Sequence, residues 1–278
     1  MSKQIPISFE FFPTKTDAGA EKLITVHKEL QLLNPEFFSV TYGAGGSTRE
    51  RTLSTLNDFN GKGTPVAPHL SCIGDSKERI AELLDLYKSQ GIDRIVALRG
   101  DLPSGQVGLG ELPYAQDLVR FIREHSGDHF HIEVAAYPEM HPQADSFDQD
   151  IQRFCEKANA GANAALTQFF FNPDAYFYFV DRIQKEGVNI PVAPGIMPIT
   201  NASNLIRFAD GTGAEVPRWI RKQLATYGDD TASIKAFGHE VIVKLCERLI
   251  AGGAPSLHFY TMNTTDPTRQ LVQDLGLA

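Results

Sequence analysis

Cysteine is scarce and unpatterned: Cys72, Cys155 and Cys246 are far apart and form no CxxC or Cys/His pair at ligand spacing. An odd set of distant thiols argues against a secreted disulfide framework and fits reduced cysteines in a cytoplasm. Positive charge is in deficit, with 26 Lys plus Arg against 34 Asp plus Glu and a net charge of −8. That excludes a nucleic-acid backbone binder, which needs a basic surface to neutralise phosphates. No stretch approaches the roughly 20 uninterrupted apolar residues of a membrane span. The opening Met1-Ser-Lys-Gln-Ile-Pro has no apolar signal core, so the chain reads as cytoplasmic and unprocessed. No linker, low-complexity run or charge block divides it. The GxGxxG fingerprint of a dinucleotide fold is missing too, because the first strand-like run ends in Glu10-Phe-Phe-Pro-Thr-Lys-Thr. A nucleotide cofactor must therefore be held another way.

What is present is a repeated alternation. Short runs rich in Val, Ile and Phe predict strands at 5–12, 37–41, 65–71, 94–98, 131–137, 164–169, 191–196 and 256–260. Segments of helical period fall between them at 18–33, 48–59, 76–90, 114–125, 146–160, 173–186 and 201–211, with a last one at 267–275. Capping residues open several of these (Ser47 or Thr48, Ser76, Asn201), and Gly91, Gly161 and Gly187 close others. The seventh connection is long and carries two more helical segments within 213–253. Eight βα units in 278 residues predict an α/β fold, a (β/α)8 TIM barrel in one domain over 1–278 with extra helices between strands seven and eight. An open doubly wound sheet is the runner-up.

A barrel builds its site from the carboxyl ends of its strands. Those ends carry Glu10, Thr41 with Tyr42, His69, Arg99 with Asp101, Tyr137 with His141, Gln168, Pro194-Gly195 and Tyr260. Glu10 lies in Ile7-Ser-Phe-Glu-Phe-Phe-Pro, where burial against rings predicts a raised carboxyl pKa and a proton donor. The same spacing fits a Glu paired with a neighbouring Arg or Lys. Thr41-Tyr-Gly-Ala-Gly-Gly-Ser offers free backbone N–H groups for an anion, although glycine-rich turns also occur without any ligand. Arg99 and Asp101 share a face, either for a ligand or as an ion pair closing the rim, and the Gly-rich loop 103–113 beyond them suits a mobile flap. His141 is a ligand residue or a loop cap. Gln168 is an amide for the edge of a heterocycle or a satisfied buried side chain.

Taken together, Ile7-Ser-Phe-Glu-Phe-Phe-Pro, Ser39-Val-Thr-Tyr-Gly-Ala-Gly-Gly-Ser, Ala67-Pro-His-Leu, Ala97-Leu-Arg-Gly-Asp-Leu-Pro, Ala135-Ala-Tyr-Pro-Glu, Thr167-Gln-Phe-Phe-Phe, Pro194-Gly-Ile-Met-Pro and His258-Phe-Tyr-Thr-Met-Asn resemble the methylenetetrahydrofolate reductase family, in its order and over nearly the whole chain. The resemblance implies a barrel that binds FAD without a Rossmann motif and reduces 5,10-methylenetetrahydrofolate to 5-methyltetrahydrofolate for methionine synthesis. NADH or NADPH is the implied donor, in a ping-pong cycle. It implies Glu10 as general acid and Asp101 as the carboxylate near flavin and pterin. Thr41, Tyr42, Ala44, His69, Arg99, Gly100, Asp101, Ala115, Tyr137, His141, Ala144, Asp150 and Lys157 match cofactor-binding positions. Thr41, Asp101, Gln168, Asn204 and Phe208 match folate-side positions. A homo-oligomer without a regulatory domain, and so without inhibition by S-adenosylmethionine through one, is also implied, with no metal.

Some positions depart from the family's bacterial pattern. Thr264 replaces a basic residue, Asn204 a folate-contacting Gln, and Arg153 and Glu156 stand where an adenosine-side Asn and Arg are expected. Three other readings remain on the residues alone. The same folate reduction could draw on a protein electron donor. A cofactor-free lyase or aldolase would use Glu10 as base and Arg99 for an anionic substrate, and would purify colourless. A non-catalytic folate or flavin binder would have no use for a positioned acid.

Overall fold

The computed structural model describes residues 5–42, 46–101 and 110–278, with the side chains of 46–49 left aside. Alternation of apolar runs and helical periods produces the expected order. β1 (Ile7–Phe11), β2 (Phe38–Val40), β3 (Val66–Ser71), β4 (Arg94–Leu98), β5 (His131–Ala136) and β6 (Ala164–Thr167) are each followed by a helix. These helices are α1 (Asp17–Gln31), α2 (Gly46–Phe59), α3 (Lys77–Ser89), α4 (Ala115–Ser126), α5 (Phe147–Asn159) and α6 (Pro173–Lys185). Then come β7 (Val192–Ala193), β8 (Gly195–Ile196), α7 (Ala202–Thr212), α8 (Arg218–Tyr227), α9 (Thr231–Ala251), β9 (Leu257–Tyr260) and α10 (Thr268–Asp274).

Every pairing is parallel, in the order β7-β6-β5-β4-β3-β2-β1-β9-β8. The predicted seventh strand is split at Pro194. Its first half bonds β6 (Ala165↔Val192) and its second half bonds β9 (Gly195↔His258), so the two sheet edges meet across a single residue. That closes the eight-unit barrel, with α7, α8 and α9 in the long connection as expected.

Local chemistry sets the helix ends. Ser76, Asn201, Thr16 and Ser146 accept backbone N–H groups at their helix starts, and Gly91, Gly161 and Gly187 take positive φ just past the ends. α2 starts at Gly46, so Ser47 and Thr48 fall inside its first turn instead of capping it. Two cores result. The larger packs helices on the outer face of the sheet, and Phe37, Ala67, Val96, Leu166 and Ala193 fill the barrel interior. At the amino-terminal end, Arg94 plugs the barrel. It reaches Glu133 at 2.8 Å and Glu36 at 2.7 Å, and lies over the Phe37 ring at 4.4 Å. The three cysteines are free and buried, and burial pushes the Cys72 thiol up to about 12. No helix among the described residues is long and apolar enough to cross a membrane.

Candidate active site

Side chains two apart on a strand share a face, and that rule builds the floor of the barrel mouth. Ser8 and Glu10 of β1 point inward beside His258 and Tyr260 of β9, with which they pair in register. His69 of β3 completes the group. Glu10 Oε2 lies 3.3 Å from His69 Nε2 and 3.5 Å from His258 Nε2, and Ser8 Oγ holds His258 Nδ1 at 2.7 Å. His258 is fully buried.

This geometry overturns one expectation. Phe9 and Phe11 alternate to the outer face, where Phe11 meets Phe59 edge-on at 5.2 Å, so they do not surround the carboxyl. Burial does push Glu10 up. The charge and hydrogen bonds of His69 and His258 outweigh it and bring the carboxyl down to about 2. No Arg or Lys pairs with Glu10 among the described residues.

A chamber opens above Glu10. Thr41, Tyr42, His69, Tyr137, Gln168 and Phe208, all expected site residues, line it with Tyr260 and Thr261. Tyr260 donates to Thr167 O at 2.6 Å, and burial together with the Glu10 charge holds its phenol well above the ordinary value, so it stays a neutral donor. Gly195 allows this contact. A Cβ there would strike the Thr167 carbonyl oxygen and sit 2.8 Å from the Tyr260 ring. Gln168 is half-buried. Its Oε1 accepts from Phe169 N–H at 3.0 Å, while no described residue takes its amide NH2.

The remaining expected residues form a flank beyond the chamber, at the ends of β4 and β5. Arg99 donates to Gln143 Oε1 at 2.6 Å and to Gly100 O at 3.2 Å, and makes no ion pair with the exposed Asp101. Gly100 has φ +83, and a Cβ there would run into the Ser71 hydroxyl that anchors Arg99 O. Asp150 accepts the His141 N–H at 2.9 Å, and His141 packs edge-on to Tyr137 with ring centroids 4.5 Å apart. Burial lowers His141 and raises Tyr137, where Asp101 and Asp150 add to the rise. Lys157 donates to Ala135 O at 2.5 Å, and burial pulls its pKa to about 8 against the opposing charge of Asp150. Ala144 N–H is bonded to His141 O, and Ala115 begins α4. Glu156, at a departing position, accepts from Gln116 at 2.8 Å.

Three expectations fall elsewhere. Ala44 lies outside the described residues, as does 103–109 of the expected flap. Its far end is tied down where Lys77 N–H donates to Glu111 Oε2 at 2.9 Å. Asn204 and Thr264 line a second, adjoining chamber instead. Sequence reading missed Ser8 and His258. Both stand two residues before a residue it chose, Glu10 and Tyr260, and period two alone would have placed them on the same inward face.

Comparison with known proteins identifies the family of the chain. A family model described as methylenetetrahydrofolate reductase matches residues 1–276. A 5,10-methylenetetrahydrofolate reductase of Escherichia coli K12 is 38% identical over 275 residues, covering 99% of this chain and 92% of that protein. The Pectobacterium carotovorum enzyme of the same name is 40% identical over 275 residues, covering 99% and 91%. Among solved structures, an uncharacterized Clostridium thermocellum protein that binds two copies of 5-methyl-5,6,7,8-tetrahydrofolic acid superposes with a TM-score of 0.65 at 14% identity, over 93% of this chain and 89% of that one. At that identity the likeness is one of fold.

Proposed function

Because the chain belongs to the methylenetetrahydrofolate reductase family, we propose that its barrel binds FAD, accepts electrons from NADH or NADPH, and reduces 5,10-methylenetetrahydrofolate to 5-methyltetrahydrofolate in two alternating half-reactions. Residues 1–278 act in this reading as one catalytic barrel. The observation that carries it is Glu10, a carboxyl clasped by two imidazoles at the floor of a chamber walled by Tyr42, Tyr137, Gln168 and Phe208.

The flank residues fit such a cofactor. Lys157 is a half-buried amine whose bonded partner is a neutral carbonyl, and no carboxylate lies within ion-pair distance of it among the described residues. A cation short of a counter-charge suits a diphosphate. Lys157 and Arg99 would take the phosphates, and Thr41, Tyr42, His69 and Tyr137 would hold the ring system. A bound FAD supplies the two-electron carrier that no side chain here provides.

The chain's own residues manage the proton. Glu10 Oε2 gives a proton to a ring nitrogen of the folate, the bond from that nitrogen to the methylene carbon breaks, and the carbon becomes an electrophilic iminium ready for hydride. Glu10 rests as a carboxylate and takes up the proton it delivers only once the substrate is seated. Burial already opposes the charge on Oε2, and a flat ring seated over it excludes more water and so favours the protonated carboxyl that serves as the donor. Gln168 offers a donor and an acceptor to the pterin edge, Asp101 hydrogen-bonds the folate, and Phe208 stacks on it.

The purified protein should be yellow, bleach with a nicotinamide cofactor and recover with methylenetetrahydrofolate under anaerobic conditions. Glu10→Gln should bleach at nearly the wild-type rate yet lose folate reduction by about 100-fold or more, the scale of a general acid. Equal loss in both half-reactions would remove Glu10 from the acid role, and failure to bind FAD at all would overturn the reading.

A further inference from the structure

The loop from β5 to α5 touches two parts of the molecule with one short stretch of chain. Tyr137 and His141 belong to the flank that fits the cofactor. Pro138, Glu139 and Pro142 meet the carboxyl-terminal end of α7 along a narrow seam walled by Thr212, Gly213 and Ala214.

Glu139 ties that seam. Its half-buried carboxylate accepts the Glu215 N–H at 2.8 Å, a charge-assisted bond and so stronger than the neutral kind. Burial pushes the carboxyl pKa up, and the N–H bond opposes the rise. Pro142 adds an apolar contact. Gly213 takes φ +74 where α7 ends, and a Cβ there would sit 2.8 Å from the Pro142 ring. Met140, between Glu139 and His141, takes φ +93, which residues other than glycine seldom adopt. The loop is therefore held in this shape by its contacts and not by its own backbone preference.

α7 carries the effect into the site. Phe208 lies five residues before Gly213 (213 − 208), about one and a half helical turns. Thr212 donates to Phe208 O at 2.9 Å within that stretch, and both side chains line the chamber above Glu10. A helix transmits displacement as a stiff element, so a shift at the clamped end moves the Phe208 ring.

We propose that Glu139 is a positioning residue for the reductase site: through the Glu215 N–H it clamps the end of α7 against the β5–α5 loop and so fixes Phe208 where the folate ring is received. The proposal rests on the folate-reductase reading above. It makes the cofactor flank and the folate-facing aromatic two sides of one tie, although Glu139 itself lines the seam and not the chamber.

Binding of 5-methyltetrahydrofolate to the FAD-loaded protein tests it in a double-mutant cycle of Glu139→Ala and Phe208→Ala. Glu139→Ala should raise the folate Kd by about three- to ten-fold, the scale of one aromatic contact. In the Phe208→Ala background the same change should raise it by less than about two-fold, because the ring it positions is gone. Glu139→Gln keeps a carbonyl oxygen for the Glu215 N–H and should stay near the wild type. Pro142→Ala should repeat the Glu139→Ala pattern, and takes its place in the cycle should that variant not fold. The FAD Kd and the flavin spectrum should stay unchanged throughout. An equal rise in both backgrounds, or a rise in neither, overturns the inference. Loss of FAD from Glu139→Ala also overturns it, by giving Glu139 to the cofactor loop alone. Folate reduction by the wild type keeps the reductase reading through any of these results, whereas a wild type that binds FAD yet neither binds nor reduces folate overturns both.

Discussion

Replacing Glu10 with Gln should flatten the acid limb of the stability curve. The carboxyl is held at about 2 instead of its ordinary 4.5, with its side chain 18% exposed. A carboxyl depressed in the folded state contributes stability that is fully present above 4.5 and is lost as pH falls through about 2. The gap is worth about 3 kcal/mol in all, of which about 2 kcal/mol is gone by pH 3. Urea unfolding of wild type and Glu10→Gln between pH 7 and pH 3 isolates this contribution, since the other carboxylates are common to both. The free-energy difference should move about 2 kcal/mol in the variant's favour across that range. A movement under about 0.5 kcal/mol would refute the dominance of His69 and His258 over burial.

Other perturbations probe the frame around the site. Gly195→Ala should cost about 2–4 kcal/mol, because the new methyl displaces Tyr260 from Thr167 O, and calorimetry would register the loss as a lower Tm. Arg94→Met strands Glu133, 4% exposed, with only His131 at 3.3 Å, and should destabilise by about 3–5 kcal/mol in denaturant titrations. Adding Glu133→Leu should recover most of that. His27 is buried between Phe38 and Phe59 and burial lowers its pKa to about 4. Its neutral form contributes stability present above 6.5 and lost as pH falls through about 4, so wild type should lose about 2 kcal/mol relative to His27→Leu between pH 7 and pH 5.

The barrel was legible in the sequence because short runs rich in Val, Ile and Phe alternate with segments that show a helical period. Pro194 was the exception. A proline in the middle of an apolar run looks like part of one strand, and only the register shows that the strand changes partners there. The site was half legible. Polar residues at strand ends identify Glu10, His69, Tyr137 and Gln168, whereas Ser8 and His258 sit deeper in their strands among residues that read as packing. The direction of the Glu10 shift could not be read at all. It depends on two imidazoles from β3 and β9, at 59 and 248 residues' remove (69 − 10 and 258 − 10), while the adjacent phenylalanines that suggested the opposite face the helices.

The pairing of β1 with β9 also sets a timetable. Ser8 and His258 touch across 250 residues of chain, so the carboxyl's environment is among the last things a growing polypeptide can assemble. Until β9 has been synthesised and has slotted between β1 and β8, Glu10 has one imidazole instead of two, and the barrel wall stands open beside it. Such long-range closure is slow in folding terms. A chain stalled before that step would carry most of its helices and strands and yet lack the clasp on which the proposed chemistry depends.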